Sequence, residues 1–208
     1  MMAQPVVVID YHLNNIWSVT SALNYLGVSH FVSSSPLEIE KAKVLILPGI
    51  GSFRRAMESL RSLQIDEVIY SKVLGEKSTF LGICLGMQLM GASGTEDGLS
   101  RGLGLIPTVV DRFTDGELNG RKAPHIGFNQ VKFDKDSTLF QGLPENADFY
   151  FVHSYRMLPG NLVGNLATCD HGVEFLAAYE RENIFATQFH PEKSQTNGLK
   201  LVANVFEA

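Results

Sequence analysis

The run Thr79-Phe80-Leu81-Gly82-Ile83-Cys84-Leu85-Gly86-Met87-Gln88 places one cysteine between two glycines where an apolar strand gives way to a helix. Glycines two residues to either side permit a sharp turn at Cys84. In Gly-x-Ser-x-Gly hydrolases the same spacing lifts a nucleophile clear of the backbone and aims it at a helix N-terminus. Unpaired amides and the helix dipole at that terminus favour a thiolate, the form in which cysteine attacks. A free cysteine is more often a small buried hydrophobe, and the flanking glycines argue against that here.

A second cluster supplies what a thiol lacks. Gln188-Phe189-His190-Pro191-Glu192-Lys193-Ser194 follows the short apolar strand Asn183-Ile184-Phe185-Ala186-Thr187, so His190 falls at a strand end, where open α/β sheets gather ligands, and Pro191 stops the ladder. A histidine can accept a thiol proton and return it to a leaving amine when a carboxylate fixes its tautomer, and Glu192 is the carboxylate at hand. Alone, His-Pro-Glu reads as a surface turn; with Cys84 it reads as part of a triad. A third block, Leu47-Pro48-Gly49-Ile50-Gly51, also follows a strand end. Its glycines let a peptide plane turn an N–H toward developing negative charge, beside the amide of Leu85 just after the nucleophile. An ordinary strand-to-helix turn remains the alternative.

The elements that must carry these groups alternate. Pro5 to Asp10 is a continuous apolar run suited to a strand covered on both faces and is expected centrally in the sheet. Ile16, Val19, Leu23 and Leu26 recur at helical spacing, with Gly27 as the left-handed terminating residue. Val28 to Val32 is a second strand, Ser33 to Pro36 a turn, and Lys43 to Leu47 a third strand ending at Pro48. Helical patterns from Arg54 to Leu74 lead to the Cys84 strand. After Gly91 the chain turns strand-rich: Leu103 to Val110, Ile126 to Phe133, Phe149 to Tyr155, Leu162 to Cys169 and Phe175 to Tyr179 are expected as antiparallel strands. Leu199, Val202, Ala203 and Phe206 close the chain with a helix.

These blocks resemble the class I, triad-type glutamine amidotransferases, which carry Gly-x-Cys-x-Gly and, far downstream, His-Pro-Glu. The resemblance runs essentially end to end. Through Leu47–Gly51, Cys84–Gln88, Pro124-His125-Ile126-Gly127, Tyr150-Phe151-Val152-His153-Ser154-Tyr155 and Gln188–Ser194 it is greatest to the glutaminase subunits of imidazole glycerol phosphate synthases. It implies a flavodoxin-like, doubly wound, mostly parallel α/β sheet with a strand-rich antiparallel insertion in the second half. It implies L-glutamine as substrate, a thioester on Cys84, proton transfer by His190 and orientation of His190 by Glu192. It also implies oxyanion donors at Leu85 and at the Gly49-Ile50 peptide, the latter poorly set until a partner carries its substrate. Substrate-holding roles fall on Gln88, Glu96 and the backbone of His153, Ser154 and Tyr155. Taken singly, Gln88 also reads as a solvated helix residue, Glu96 as a loop charge and His153 as a strand-end residue.

Ammonia released into water at neutral pH is protonated and loses its nucleophilic lone pair, so it must travel covered. No acceptor domain is legible in the chain, and the resemblance implies a heterodimer with a (β/α)8 cyclase subunit. That pair makes imidazole glycerol phosphate and AICAR from a formimino-AICAR nucleotide in histidine synthesis. Pro124 to Asn129 would lie at the interface, with core packing as the alternative for Ile126 and Phe128, and Trp17 reads as a partly buried helix aromatic. Two departures stand out: Phe128 where these subunits usually carry Trp, and Asp10-Tyr11-His12-Leu13-Asn14-Asn15 in place of a more glycine-rich loop. They leave open a paralogue supplying ammonia for amidino-sugar assembly in surface polysaccharides. A stand-alone cysteine hydrolase and a silent binding module are the readings from other classes.

With 208 residues, 45% hydrophobic and 19% charged, the chain suffices for one α/β domain over 1–208. A net charge of -5 offers no footprint for nucleic acid. The apolar start is too short for a membrane span and lacks a basic leader, so no membrane and a cytoplasmic location are expected. Two cysteines, one of them the nucleophile, leave Cys169 as a structural thiol. None of the six histidines falls into a zinc spacing, and neither metal nor cofactor is expected.

Overall fold

Every residue of β1 (Val6–Ile9) is buried, because successive side chains leave opposite faces of a strand and both faces are covered. Val6 and Val8 pack with α1 (Ile16–Tyr25) and the C-terminal helix, whereas Val7 and Ile9 pack with Phe53, Ala56 and Leu60 on the other side. The computed structural model, which describes residues 5–207, therefore has a helix–sheet–helix layering. Gly27 ends α1 at φ 70°, as its position predicts.

The strand β2 (His30–Ser33) starts two residues later than expected, and the turn after it leads into a single-turn helix, α2 (Pro36–Ile39), with Pro36 at its first position. Pro48 does not end β3 (Val44–Gly49), since Leu47, Pro48 and Gly49 stay in register with the neighbouring strand and outlast the one amide that proline cannot donate. The long helical pattern divides into α3 (Phe53–Ser62), α4 (Ile65–Tyr70) and a wide turn, Ser71–Gly75, because Gln64 takes a left-handed φ of 58°. Next come β4 (Thr79–Cys84) and α5 (Leu85–Leu89).

The second half forms β5 (Gly91–Gly94), β6 (Ser100–Arg101), β7 (Ile106–Arg112), α6 (Asp115–Leu118), β8 (His125–Gln130), β9 (Asp148–His153) and β10 (Tyr155–Met157). It ends with β11 (Asn165–Asp170), β12 (Glu174–Arg181), β13 (Ile184–Thr187) and α7 (Gln195–Glu207). The main sheet has the order β11-β12-β13-β4-β3-β1-β2. Its five strands from β13 to β2 are parallel, and β12 and β11 extend it antiparallel. β1 is thus one strand from the edge rather than central, and β4, which carries Cys84, holds the middle. The chain runs outward from β1 to β2 and then crosses to β3, so the strand order reverses beside β1, the kind of place where open α/β sheets bind ligands.

The insertion pairs antiparallel, as expected, apart from β5 and β7, which run parallel. The apolar run Phe149 to Tyr155 is two strands, not one. β9 pairs with β8 and β10 with β7, so the chain changes sheets at Ser154.

Candidate active site

The parallel strands β3, β4 and β13 bring three turns together at their C-terminal ends, in the middle of the sheet. At the end of β4, Cys84 adopts φ 56° and ψ −109°, a conformation that costs a residue with a Cβ about 1–3 kcal/mol and persists only where its surroundings enforce it. The enforcement is visible at the flanking glycines. A Cβ on Gly86 would collide with the Leu47 carbonyl oxygen of β3, and one on Gly82 would come within 2.9 Å of the Gly86 backbone. Neither glycine itself has positive φ among the described residues. Their task is close approach, and the unusual dihedral falls on the cysteine.

Beyond β13, Gln188 and Phe189 are fully buried, and Pro191–Lys193 form a single 3-10 turn that folds Glu192 back onto His190. His190 Nδ1 lies 2.8 Å from Glu192 Oε1, and both side chains are 3% exposed. The His190 backbone is held on both sides: its N–H donates to Tyr150 O at 2.9 Å, and Ser194 Oγ donates to its carbonyl at 2.6 Å. Nε2 is buried without a hydrogen-bond partner of good geometry. Burial works to lower the His190 pKa, but negative charge on the Cys84 sulfur, followed by the Glu192 hydrogen bond and charge, raises it to about 10. The His190 imidazole is thus held protonated at neutral pH beside the sulfur.

Cys84, Leu85 and His190 open into a cleft of about 320 Å³. Gln88, Glu96, His153, Ser154 and Tyr155 line it, as does Ile50, while Gly49 and Glu192 stand behind the lining. The solvated-helix reading of Gln88 does not hold: the side chain is 4% exposed and donates to Tyr155 O at 3.0 Å and Gln188 Oε1 at 2.9 Å. Gln188 in turn donates to the Cys84 sulfur at 3.7 Å. Glu96 accepts from Phe53 N at 2.9 Å, and burial raises its carboxyl pKa. The Ile50 N–H, a sequence-predicted oxyanion donor, is spent on Leu13 O at 3.2 Å.

Lys193 also lines the cleft and was not singled out from sequence, although the turn that Pro191 begins placed it within reach of His190. The Gln88–Gln188–Cys84 connection carries no sequence signal because it joins α5 and the end of β4 to the segment just past β13, a hundred residues away. Trp17 is 77% exposed rather than partly buried, and Ile126 and Phe128, at 60% and 47%, are not core residues.

The sequence matches the family described as glutamine amidotransferase class-I over residues 7–208. The chain belongs to this family. It is 43% identical over 200 residues to imidazole glycerol phosphate synthase subunit HisH 1 of Campylobacter jejuni, covering 96% of this chain and 98% of that protein. It is 42% identical over 201 residues to imidazole glycerol phosphate synthase subunit HisH of Microcystis aeruginosa, covering 96% and 93%. Its fold is similar to that of a glutamine amidotransferase of known crystal structure, with a TM-score of 0.70, 18% identity and coverage of 96% of this chain and 98% of that one. PurLQS from Thermotoga maritima has a TM-score of 0.71, 18% identity and coverage of 99% of both chains.

In this amidotransferase the wall of the cleft is backed by a histidine cluster. His153 Nδ1 is 2.8 Å from Tyr155 O, which can only accept, so that nitrogen carries the proton and Nε2 accepts from His125 Nδ1–H at 3.1 Å. His125 stacks between Phe151 and His171. Burial, then His171 and Arg121, lowers the His125 pKa to about 4. For His153, burial lowers and the Tyr155 carbonyl raises; with His125, His171 and His190 adding to the lowering, the value is about 3. Among the described residues no group of three or more His, Cys, Asp or Glu is placed to hold a metal.

Two neutral histidines make the amidotransferase acid-sensitive. Their folded pKa values lie below the unfolded value near 6.5, so their contribution to stability is complete above that pH. As pH falls, the unfolded chain takes up protons that the folded one refuses, and stability declines down to about pH 3–4. The loss from His125 alone is of order 3 kcal/mol. Urea midpoints at pH 7 and pH 4.5 will differ, and His125→Gln will flatten the difference; an equal slope in the variant refutes the assignment.

Proposed function

We propose that this chain is the glutaminase subunit of an imidazole glycerol phosphate synthase, hydrolysing L-glutamine to L-glutamate and ammonia for a (β/α)8 cyclase partner. The observation that carries the chemistry is the meeting of Cys84 and His190, from two strand ends, on one cleft, with Glu192 behind His190 at 2.8 Å. The subunit names of the relatives support the pathway.

The Cys84 thiolate attacks the side-chain amide carbon, and the carbonyl oxygen becomes an oxyanion facing the Leu85 N–H. His190, protonated, gives its proton to the departing nitrogen, so the C–N bond breaks as ammonia leaves and a γ-glutamyl thioester remains. His190 then takes a proton from water, hydroxide attacks the thioester, and glutamate and the thiolate are released. Glu192 holds the imidazole in the tautomer that points Nε2 at the sulfur. Glu96 offers negative charge to the substrate's ammonium, while Gln88 braces the Tyr155 carbonyl, keeping the His153–Tyr155 backbone in place for the amino-acid head. With Ile50 N–H engaged by Leu13, the resting site has one oxyanion donor fewer, a deficit worth about 2.7–4 kcal/mol, which keeps the enzyme slow until the peptide turns.

Ammonia must pass to the acceptor without meeting water. Exposed Ile126 and Phe128, in the Pro124–Asn129 block, and exposed Trp17 supply apolar surface for a partner. In this reading residues 1–208 act as one domain in the cytoplasm; no described helix is long and apolar enough to cross a membrane. Co-expression with the (β/α)8 cyclase of the same genome is expected to give a heterodimer that turns over the formimino-AICAR nucleotide with glutamine as nitrogen source. Phe128 in place of Trp favours the amidino-sugar paralogue as second reading. Failure to bind the cyclase, with glutamine-dependent turnover in a sugar-amidating assembly, decides for that paralogue.

A further inference from the structure

The hydroxyl of Tyr11, beneath the Gly49-Ile50 loop, has no use in the scheme above. The residue has no exposed surface and packs in the same core cluster as Leu47, Phe53 and Leu85. Its backbone is anchored by Ser59 Oγ, which donates to Tyr11 O at 2.6 Å. Yet the buried hydroxyl has no hydrogen-bond partner among the described residues, an arrangement that native structures seldom tolerate without a reason. It fills the space that a Cβ on Gly49 would occupy, next to Leu85 and the Gly86 amide. Burial, then charge at Cys84 and Asp10, pushes its ionisation well above the usual tyrosine range, so the hydroxyl keeps its proton and is a donor. Tyr11 does not line the cleft and so does not touch glutamine.

The same first loop holds the neighbouring peptide. Ile50 N–H donates to Leu13 O, two residues beyond Tyr11, and must leave it to meet an oxyanion. In a trans peptide the N–H and C=O point in opposite directions. Turning the Ile50 N–H away from Leu13 therefore swings the Gly49 carbonyl toward the first loop, whose Tyr11 holds an unpaired donor against Gly49.

We propose that Tyr11 is a positioning residue whose hydroxyl donates to the Gly49 carbonyl oxygen when the Gly49-Ile50 peptide rotates to present its N–H to the oxyanion. The rotation exchanges the Ile50–Leu13 hydrogen bond for a Tyr11–Gly49 bond. The unsatisfied group then belongs to the resting state, and the active state is correspondingly less costly to reach. The inference rests on the glutaminase reading.

The test is Tyr11→Phe, assayed in complex with the cyclase and its nucleotide. Glutaminase kcat in the activated complex is expected to fall about fivefold to tenfold, the worth of one neutral hydrogen bond, with KM for glutamine within about twofold. The thermal midpoint of the isolated variant is expected to be unchanged or raised, because no bond is lost at rest. An activated kcat equal to that of the parent overturns the proposal. So does a lowered midpoint, which would mean the hydroxyl is bonded at rest. If the parent complex itself shows no glutaminase activity, the glutaminase reading falls as well, a result distinct from equal stimulation of parent and variant.

Discussion

Cys84→Ala is expected to reduce glutamine hydrolysis by about 10⁴-fold or more, the scale seen when a covalent nucleophile is removed from a working triad. Ammonia-dependent turnover by a partner should survive, since no step there needs the sulfur. The same substitution carries a second readout. Negative charge on the sulfur is the largest influence raising the His190 pKa to about 10, and burial is the opposing one. Without the sulfur, Glu192 alone opposes burial, and the imidazole should titrate at a lower pH, followed by NMR of the His190 ring. The parent's imidazolium persists through neutrality and is lost only as pH rises toward its raised pKa; the variant loses it earlier. A His190 titration identical in parent and variant would show that the two groups do not sense each other, and the covalent mechanism would go with it.

Gly86→Ala should do to the fold what Cys84→Ala does to the chemistry. The added methyl meets the Leu47 carbonyl oxygen, a backbone atom of β3 that is locked in register with β4 through Gly49 and Cys84. No flexible side chain can yield, so β3 and α5 must separate, and a loss of about 4 kcal/mol or more belongs to this class of backbone clash. A urea denaturation midpoint and circular dichroism will register it. Residual folded protein should have little glutaminase activity, because moving α5 moves the Leu85 amide and the Cys84 dihedral together. A variant with parental stability would mean that β3 and α5 are not in the contact described. Gly75 is a suitable control, since a Cβ there meets nothing within 4 Å.

The α/β architecture was legible because its signals are local, apolar runs of strand length and helical spacing, and the proposed trio of Cys84, His190 and Glu192 stood out for the same reason: glycines around a cysteine and a proline-stopped strand before a histidine. The family model over residues 7–208 and the fold neighbours agree with that architecture. Strand position was not legible. Pro5 to Asp10 looks central because it is apolar on both faces, but helices cover both faces of a penultimate strand equally well. The sheet change at Ser154 was hidden inside one apolar run, since pairing partners, not composition, decide where a strand ends. Gln88 looked like a surface residue for want of its partner: only the fold brings Gln188 and the Tyr155 carbonyl to it. Tyr11 carried no signal, because an unpaired hydroxyl is a property of what surrounds it.

The placement of the nucleophile on β4 limits how this enzyme can be governed. A strand flanked on both sides by parallel neighbours sits in the least yielding part of such a fold, with no small local opening that would disarm the cysteine and spare the rest. On the proposed mechanism, control is exerted from the rim, by a peptide that turns while the thiol stays still. An effector acting there has only a few dihedral angles to move, and the chemistry it releases is already assembled.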